Sequence, residues 1–313
     1  MFLKSAYEYL LMSAKNRILR ISQNETGEFW TLHRVSKSLD DRNLQTFNDL
    51  YVTEEDLESK ILTYKENGYE FISIDSMVNR ANNFSKKRFV VLTIDDGFKD
   101  TVYAAYPILK KHSIPFVWYV SSDFIDKKIL MWWDFLNDLI KNNDYIHLSN
   151  NVTYKCISDK SKNELYISLS KNILKMGPDI EKNFSEIFNV KYTDIVSKYA
   201  YLLADWNDVI NLNEDKLCTI AAHTKTHLGL KFCSRQYVLK DFIDSKNDLE
   251  HRLGIPIDHL AYPFGTHYSV GNREYKLAKL AGFKSATIQF STSIYKYHYK
   301  KMHCIPRKSM SSN

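Results

Sequence analysis

Residues Phe89–Ile94 read FVVLTI, a mostly apolar run that stops abruptly at Asp95-Asp96-Gly97. A run of that length without polar alternation suits a strand buried on both faces. A helical stretch over Thr101–Lys111 follows, and then a second apolar run, Phe116–Val120. Two such strands joined by a helix predict parallel pairing, because a parallel connection has to cross over the sheet. The chain is therefore read as α/β. Its 313 residues, 44% of them hydrophobic, suffice for one large domain or two smaller ones. An α/β barrel of about 250 residues with additions fits that length.

The same alternation brackets a long interruption. Before the first apolar run, Phe29–Val35 predicts a strand. Thr53-Glu54-Glu55-Asp56 opens a helix that runs toward Tyr64 and stops near Gly68, and Phe71–Ile74 predicts another strand. A threonine followed by acids in the first turn is a helix-start signal. From about residue 127 to 205 the chain is rich in Lys, Asn, Asp and Leu at helical spacing. This predicts a mostly helical insertion with a small hairpin near Tyr145–Cys156. Alternation then resumes, with strands at Leu217–Ala222, Leu260–Tyr262, Ser285–Ile288 and Met302–Ile305, and helices at Ser234–Leu253 and Asn272–Ala281. Asp95-Asp96, His223 and Tyr262-Pro263-Phe264-Gly265 each fall just past the end of a predicted strand. In parallel α/β folds that edge is where sites are built.

Charge and cysteines narrow the function. The formal net charge is +6, from 43 basic and 37 acidic residues mixed along the chain. No run of like charge marks a nucleic-acid surface, so no nucleic-acid partner is expected. Anionic sugars or phosphates suit a mildly basic surface, although composition alone does not select them. Cys156, Cys218, Cys233 and Cys304 include no CxxC pair, which argues against a cysteine zinc site and for free thiols. The first residues, MFLKSAYEYLLMSAKNRILRIS, are broken by Lys4, Glu8, Lys15 and Arg17. They lack the unbroken apolar stretch of about 7–15 residues that a secretion signal needs, so a cytoplasmic protein is expected. Phe2, Leu3, Tyr7, Leu10 and Leu11 fall near helical spacing. They suggest an amphipathic helix packed on the domain, with peripheral membrane contact as the alternative. No stretch approaches a transmembrane span.

The chemistry resides in a few side chains. His223-Thr-Lys-Thr-His227 would place two imidazoles on one face if the segment were helical. That spacing alone is weak evidence for a metal site. Asp95-Asp96 strengthens it. Two carboxylates at the end of a buried strand carry a desolvation cost that a cation offsets. The plain alternative is a turn in which one Asp caps the next helix. Two histidines and one carboxylate form a recognised catalytic zinc set with open positions, and the second carboxylate can then act as general base.

On these residues the chain resembles the polysaccharide deacetylase (NodB-homology) family of carbohydrate esterases. Thr93-Ile94-Asp95-Asp96-Gly97 is similar to its motif T-F-D-D-G, His223–His227 to H-[ST]-x-x-H, and Ala261-Tyr262-Pro263-Phe264-Gly265 to a motif ending in P-[FY]-G. All three occur in family order. The resemblance implies a distorted, incomplete (β/α) barrel carrying the helical insertion. It also implies hydrolysis of an N-acetyl group from an amino sugar, with an N-acetylated sugar or oligosaccharide as partner. Within it Asp95 is the general base and Asp96, His223 and His227 bind a divalent metal, most simply zinc. The Tyr262 backbone N–H, with Pro263 and Phe264 beside it, stabilises the oxyanion, and Thr224 orients the loop.

The chain departs from the pattern at two points. The third motif usually opens with an arginine that pairs with the base, and here that place holds Ala261. The sequence resembles the branch with A-Y-P-[FY]-G and a late I-P-R, so Arg307 of Ile305-Pro306-Arg307 is the candidate replacement, against the alternative of a surface arginine. The usual late L-x-H acid is poorly matched by His303. Leu32-His33-Arg34-Val35 resembles the branch motif Y-H-x-V, which favours His33 as the acid that protonates the leaving nitrogen. Met131-Trp132-Trp133-Asp134 offers Trp133 as a sugar-stacking ring, or else as an anchor for the insertion. Tyr268, His267 and Trp206 are weaker candidates. In surface-polysaccharide assembly a lipid- or nucleotide-linked sugar is the expected substrate. A glycan-binding pseudoenzyme and an amidase acting on a non-sugar amide stay open as alternatives.

Overall fold

Seven parallel strands close on themselves in the computed structural model, which describes residues 25–40, 43–80 and 87–311. In chain order they are β1 (Glu25–Leu32), β2 (Phe89–Ile94), β3 (Phe116–Val120), β4 (Cys218–Ala222), β5 (His259–Ala261), β6 (Ser285–Gln289) and β7 (Ile305–Ser309). Each pairs with the next. β1 closes the ring by pairing with both β2, from Gly27↔Phe89 to Leu32↔Ile94, and β7, at Trp30↔Lys308 and Thr31↔Ser309. The barrel is thus incomplete by one strand against the eight of a standard (β/α) barrel. Short strands extend it at Glu70–Phe71, parallel to β2, and at Ile294–Tyr295, antiparallel to β1.

Alternation along each strand separates two apolar layers. Phe29, Val91, Val117, Tyr119, Ala221, Ala261 and Ile305 form the inner cluster. Trp30, Leu92, Trp118, Ile220, Leu260 and Ala286 pack outward against helix residues such as Leu57, Ile61, Val238, Phe242 and Leu277. Each of these large side chains, removed from water, contributes about 1.5–3 kcal/mol. Carried on in steps of two from Val91 and from Ile305, the inner period reaches Thr93 and then Asp95, just past the end of β2, and Arg307 in β7. The barrel interior therefore becomes polar at its C-terminal end.

Helix α1 (Glu54–Glu66) starts as its sequence signals, with Thr53 accepting from Asp56 N at 3.0 Å. Between β3 and β4 come α2 (Trp132–Lys141), an antiparallel hairpin of Tyr145–His147 with Thr153–Lys155, α3 (Asp159–Leu174), and helices Ile180–Phe188, Tyr192–Tyr199 and Trp206–Asn213. Residues of 127–205 have their own cluster, built on Met131, Trp132, Trp133, Leu136, Tyr166 and Phe184. Helix α4 (Arg235–Leu253) is capped by Ser234 and closed by Gly254 at φ +67°.

Several boundaries differ from the sequence expectation. Phe29–Val35 is not one strand. β1 ends at Leu32, His33 breaks the ladder, and Arg34–Ser36 pairs instead with Tyr51–Thr53. Ile74 begins a helix, Ile74–Arg80, because Ser73 Oγ accepts from Ser76 N and caps it. Thr101–Lys111 opens as a π-helical segment and tightens at Tyr106, where Pro107 has no N–H to continue an α ladder. The last strand starts at Ile305 rather than Met302, so that Ile305 and Arg307 both face the barrel interior. The expected amphipathic helix of Phe2, Leu3, Tyr7, Leu10 and Leu11 lies outside the described residues. Among the described residues no helix is long and apolar enough to cross a membrane.

Candidate metal and catalytic centre

The strand end at β2 separates its two carboxylates. Asp95 N donates to Leu32 O (3.1 Å), which keeps Asp95 in the strand period and aims its side chain inward. Asp96 then takes φ +81° and Gly97 φ +129°, so the chain turns sharply and Asp96 faces the opening. Gly97 permits the turn, since φ in this region favours glycine and an added Cβ would sit 3.0 Å from Ile125 Cδ1.

His223 leaves the end of β4, with its N–H on Val120 O (2.9 Å). The segment to His227 is a loop rather than the helix on which shared-face geometry was expected. Thr224 and His227 both have positive φ, +62° and +52°. Three contacts hold the loop. Thr224 Oγ1 accepts from His227 N (3.1 Å), and Asp241 of α4 accepts from Lys225 N (3.3 Å) and Thr226 N (3.1 Å). Burial pushes the Asp241 carboxyl up to about 6 despite those donors. Sequence reasoning missed Asp241. Its one signal is an acid on the buried face of a helix that follows the histidine loop.

Asp96 Oδ1 lies 3.2 Å from His223 Nε2 and 3.1 Å from His227 Nε2, and all three residues are buried. The other ring nitrogen of His223, Nδ1, is 2.8 Å from Ala261 O, a group that can only accept, so Nδ1 carries the proton. Burial opposes a charge on His223, but Asp95 and Asp96 raise its imidazole above the ordinary value. Were Nε2 unprotonated, its lone pair would face a carboxylate oxygen at 3.2 Å. Two acceptors at that distance call for a cation between them, and the three ligand atoms fit a divalent ion with open positions. Burial opposes ionisation of Asp96, but the two imidazoles hold its carboxyl well below the usual carboxylate range.

Asp95 has a different partner. Arg307 Nη1 and Nη2 donate to Asp95 Oδ1 and Oδ2, both at 2.6 Å, in a two-bond fork. Nη1 also reaches Thr93 Oγ1 at 3.0 Å. Arg307 is 2% exposed and stands where the sequence, with Ala261 in the motif, lacks an arginine. Burial raises the Asp95 carboxyl, and Arg307 with His223 more than offsets it, so the group is held below its ordinary value. His33, 27% exposed, brings Nε2 to 3.9 Å from Asp95 Oδ2 and opens on the cleft above Asp96. His303 is elsewhere, with Nε2 on Phe283 O (2.8 Å).

The expected oxyanion donor needs correction. Tyr262 is fully buried. Its N–H donates to Thr287 O (3.2 Å) and its hydroxyl to His303 O (2.9 Å), so that amide is committed to the barrel. After Pro263, Phe264 turns to φ +60° and sets its ring 4.9 Å from His227 and 6.0 Å from Trp132. The Phe264 N–H has no hydrogen-bond acceptor among the described residues. Trp133 is both wall and anchor. Its ring lies 5.4 Å from His227 and stacks on Phe124, within the apolar cluster of the 127–205 segment. Tyr268 lines the same cleft of about 440 Å³, whereas His267 does not. Trp206 is remote, its indole on Asp126 Oδ1 (2.9 Å).

A family model described as polysaccharide deacetylase matches residues 82–286. No curated protein matches the chain in sequence. Among solved structures, the chain is similar to the Streptococcus pyogenes deacetylase PplD in complex with acetate, at 16% identity and TM-score 0.60 over 90% of this chain and 91% of that one. It is similar also to a de-N-acetylase from Aggregatibacter actinomycetemcomitans (15%, TM-score 0.56, 91% and 96% covered) and to IcaB from Ammonifex degensii (14%, TM-score 0.56, 91% and 91%). At such identities the structures establish a shared barrel. The family model spans more than half of the sequence and includes the Asp95-Asp96 turn, the histidine loop and the Tyr262–Gly265 turn, so this chain belongs to the polysaccharide deacetylase family.

Proposed function

We propose that this protein is a metal-dependent carbohydrate N-deacetylase that removes the acetyl group from an N-acetylated amino sugar. The observation that carries this reading is the pairing of two sets at one strand end: Asp96, His223 and His227 converging within 4.8 Å, beside an Asp95 held by Arg307. Zinc, the expected ion, supplies when bound a Lewis acid for the acetyl carbonyl and an acidified water.

The protein's own groups do the rest. Asp95 is ionised and oriented by Arg307, so it is ready to take a proton from the attacking water. The carbonyl carbon gains the hydroxyl oxygen. The Phe264 N–H, left free in its turn, takes the oxyanion role that the Tyr262 amide cannot fill. As the C–N bond breaks, His33 donates a proton to the departing nitrogen, giving acetate and a free amine. Trp133 and Phe264 offer ring faces to the sugar.

Acetate release from N-acetylhexosamine oligomers, with and without zinc, tests the proposal. Zinc-dependent release that falls by about 10²–10⁴ in Asp95→Asn is expected. A wild type that binds these sugars and never releases acetate would make it a glycan-binding protein. Release only from small cyclic amides would make it an amidase of another class.

A further inference from the structure

Arg34 follows His33 into the cleft and is 7% exposed. Its Nε donates to Asp100 Oδ2 at 2.6 Å, and Asp100 Oδ1 has no partner, so the pair is a single bond and not a fork. The guanidinium carbon lies 4.1 Å from the Phe98 ring centroid and 4.9 Å from that of Tyr51. These two rings and Asp100 fix its plane. They leave the terminal nitrogens, Nη1 and Nη2, without an acceptor among the described residues. Neither nitrogen is sealed inside the protein, and the space Arg34 lines is the cleft over Asp96, His223 and His227.

The forked end of this nearly buried guanidinium, open to the cleft, is free to be completed by a ligand. The ligand geometry that matches the fork is a pair of anionic oxygens. A second cation lines the same cleft. Lys171, on α3, is exposed and has no ion-pair partner among the described residues. Asp100 pairs with Arg34 and the buried Asp134 also acts on it, but neither of these carboxylates lines the cleft. Asp96 is committed to the two imidazoles, and Asp49 is exposed at the rim, accepting from Gln45 at 3.3 Å. Elsewhere the walls are largely aromatic, with Trp132, Trp133 and Phe264 prominent.

We infer that the substrate carries an anionic oxygen group, a carboxylate or a phosphate, on or next to the N-acetylated sugar, and that Arg34 together with Lys171 binds it. This rests on the deacetylase reading for the identity of the sugar. Arg34 and Lys171 are substrate-binding groups and take no part in bond breaking.

The test compares three probes on the zinc-loaded protein: N-acetylglucosamine, its 1-phosphate, and an N-acetylated aminohexuronic acid. Lys171→Glu is the main variant, because an exposed, unpaired lysine can be reversed without loss of fold. Arg34→Gln is the second, accompanied by a thermal melt. The wild type should favour one or both anionic probes by about tenfold or more in kcat/KM, the value of one or two charge-assisted bonds. Lys171→Glu should raise KM for that probe by a similar factor and so abolish its preference over the neutral probe. Preference for the 1-phosphate assigns a phosphate, and preference for the uronic acid assigns a carboxylate. Equal use of neutral and anionic sugars, with no effect of Lys171→Glu, would overturn the inference and leave the deacetylase reading intact. Calorimetric binding to Asp95→Asn separates the opposite case. If no probe releases acetate yet the anionic probes bind and Lys171→Glu weakens them, the anion subsite stands and the deacetylase reading falls.

Discussion

The floor and the roof of the cleft are built on opposite principles. The floor is the C-terminal end of the barrel, and there the groups that face the centre are held by fixed partners, although His227 Nδ1 and Arg307 Nε have none among the described residues. Arg307 grips Asp95, Ala261 O fixes the His223 ring, and Asp241 ties down the histidine loop. The roof is the 127–205 segment with residues 43–50 beside it, and it is aromatic. Residues 43–50 are joined to the 127–205 segment by asparagine stitches: Asn163 Oδ1 accepts from Thr46 N (2.9 Å) and Thr46 Oγ1 (2.6 Å), and Asn137 Oδ1 accepts from Leu44 N (2.9 Å). Four residues of the floor and its rim, Asp96, Thr224, His227 and Phe264, hold positive φ without being glycine. Backbone strain of that kind, about 1–3 kcal/mol each, persists only where surrounding contacts over-determine it. The barrel thus spends its rigidity on aiming reactive groups, while the roof closes space over them with contacts that tolerate change.

This contrast makes graded predictions. The largest effect belongs to the floor. Asp96→Ala removes one of the three proposed ligands and should abolish zinc retention along with acetate release, a loss of at least about 10³, read by metal content after gel filtration. A variant that kept stoichiometric zinc would break the assignment of this carboxylate.

Arg307→Met comes next. Leaving Asp95 buried without its cation should cost about 3–5 kcal/mol in denaturant unfolding. The sign for pH follows from the pair. Arg307 holds the Asp95 carboxyl down, so its removal raises that value and moves the acid limb of activity upward in pH. An unmoved acid limb would mean that Asp95 is not the group titrating.

In the roof, Asp134 of α2 is buried with Oδ2 unpartnered. Burial pushes its carboxyl up to about 7, against the opposing charge of Arg34. The folded value lies above the unfolded one, so its stabilising contribution is complete in acid, below about 4, and is lost as pH rises through 7. Asp134→Asn should therefore gain stability over wild type at pH 8.5 by about 3–4 kcal/mol and show little gain at pH 4. Unfolding midpoints at the two pH values check this. The smallest effect is expected from Asn163→Ala, about 1–2 kcal/mol for the two lost bonds to Thr46 and an exposed third to Asp159 O, with kcat nearly unchanged. A large fall in kcat there would show that the roof helps to aim the floor and would erase the distinction.

The floor was more legible in sequence than the roof. Apolar runs ending in Asp95-Asp96, His223 and Tyr262 mark barrel strands because a strand buried on both faces leaves an unmistakable pattern. Arg307 was legible as a candidate because its strand ends in a recognisable tripeptide. Other features depend on contacts between distant segments, and local pattern does not encode them. The histidine loop is not a helix because Asp241, from α4, takes its amides. The Tyr262 amide is unavailable because β6 presents Thr287 O to it. The break after Leu32 and the asparagine stitches likewise depend on what packs across from them, and the N-terminal amphipathic segment lies outside the described residues.

The central claim is that Asp96, His223 and His227 hold one metal ion on which deacetylation depends. A zinc titration of chelator-stripped protein, following acetate release from an N-acetylated sugar at each addition, tests it most directly. The account predicts activity that starts near zero, rises linearly and breaks at one zinc per chain. Acetate release by the stripped protein that zinc leaves unchanged would contradict it.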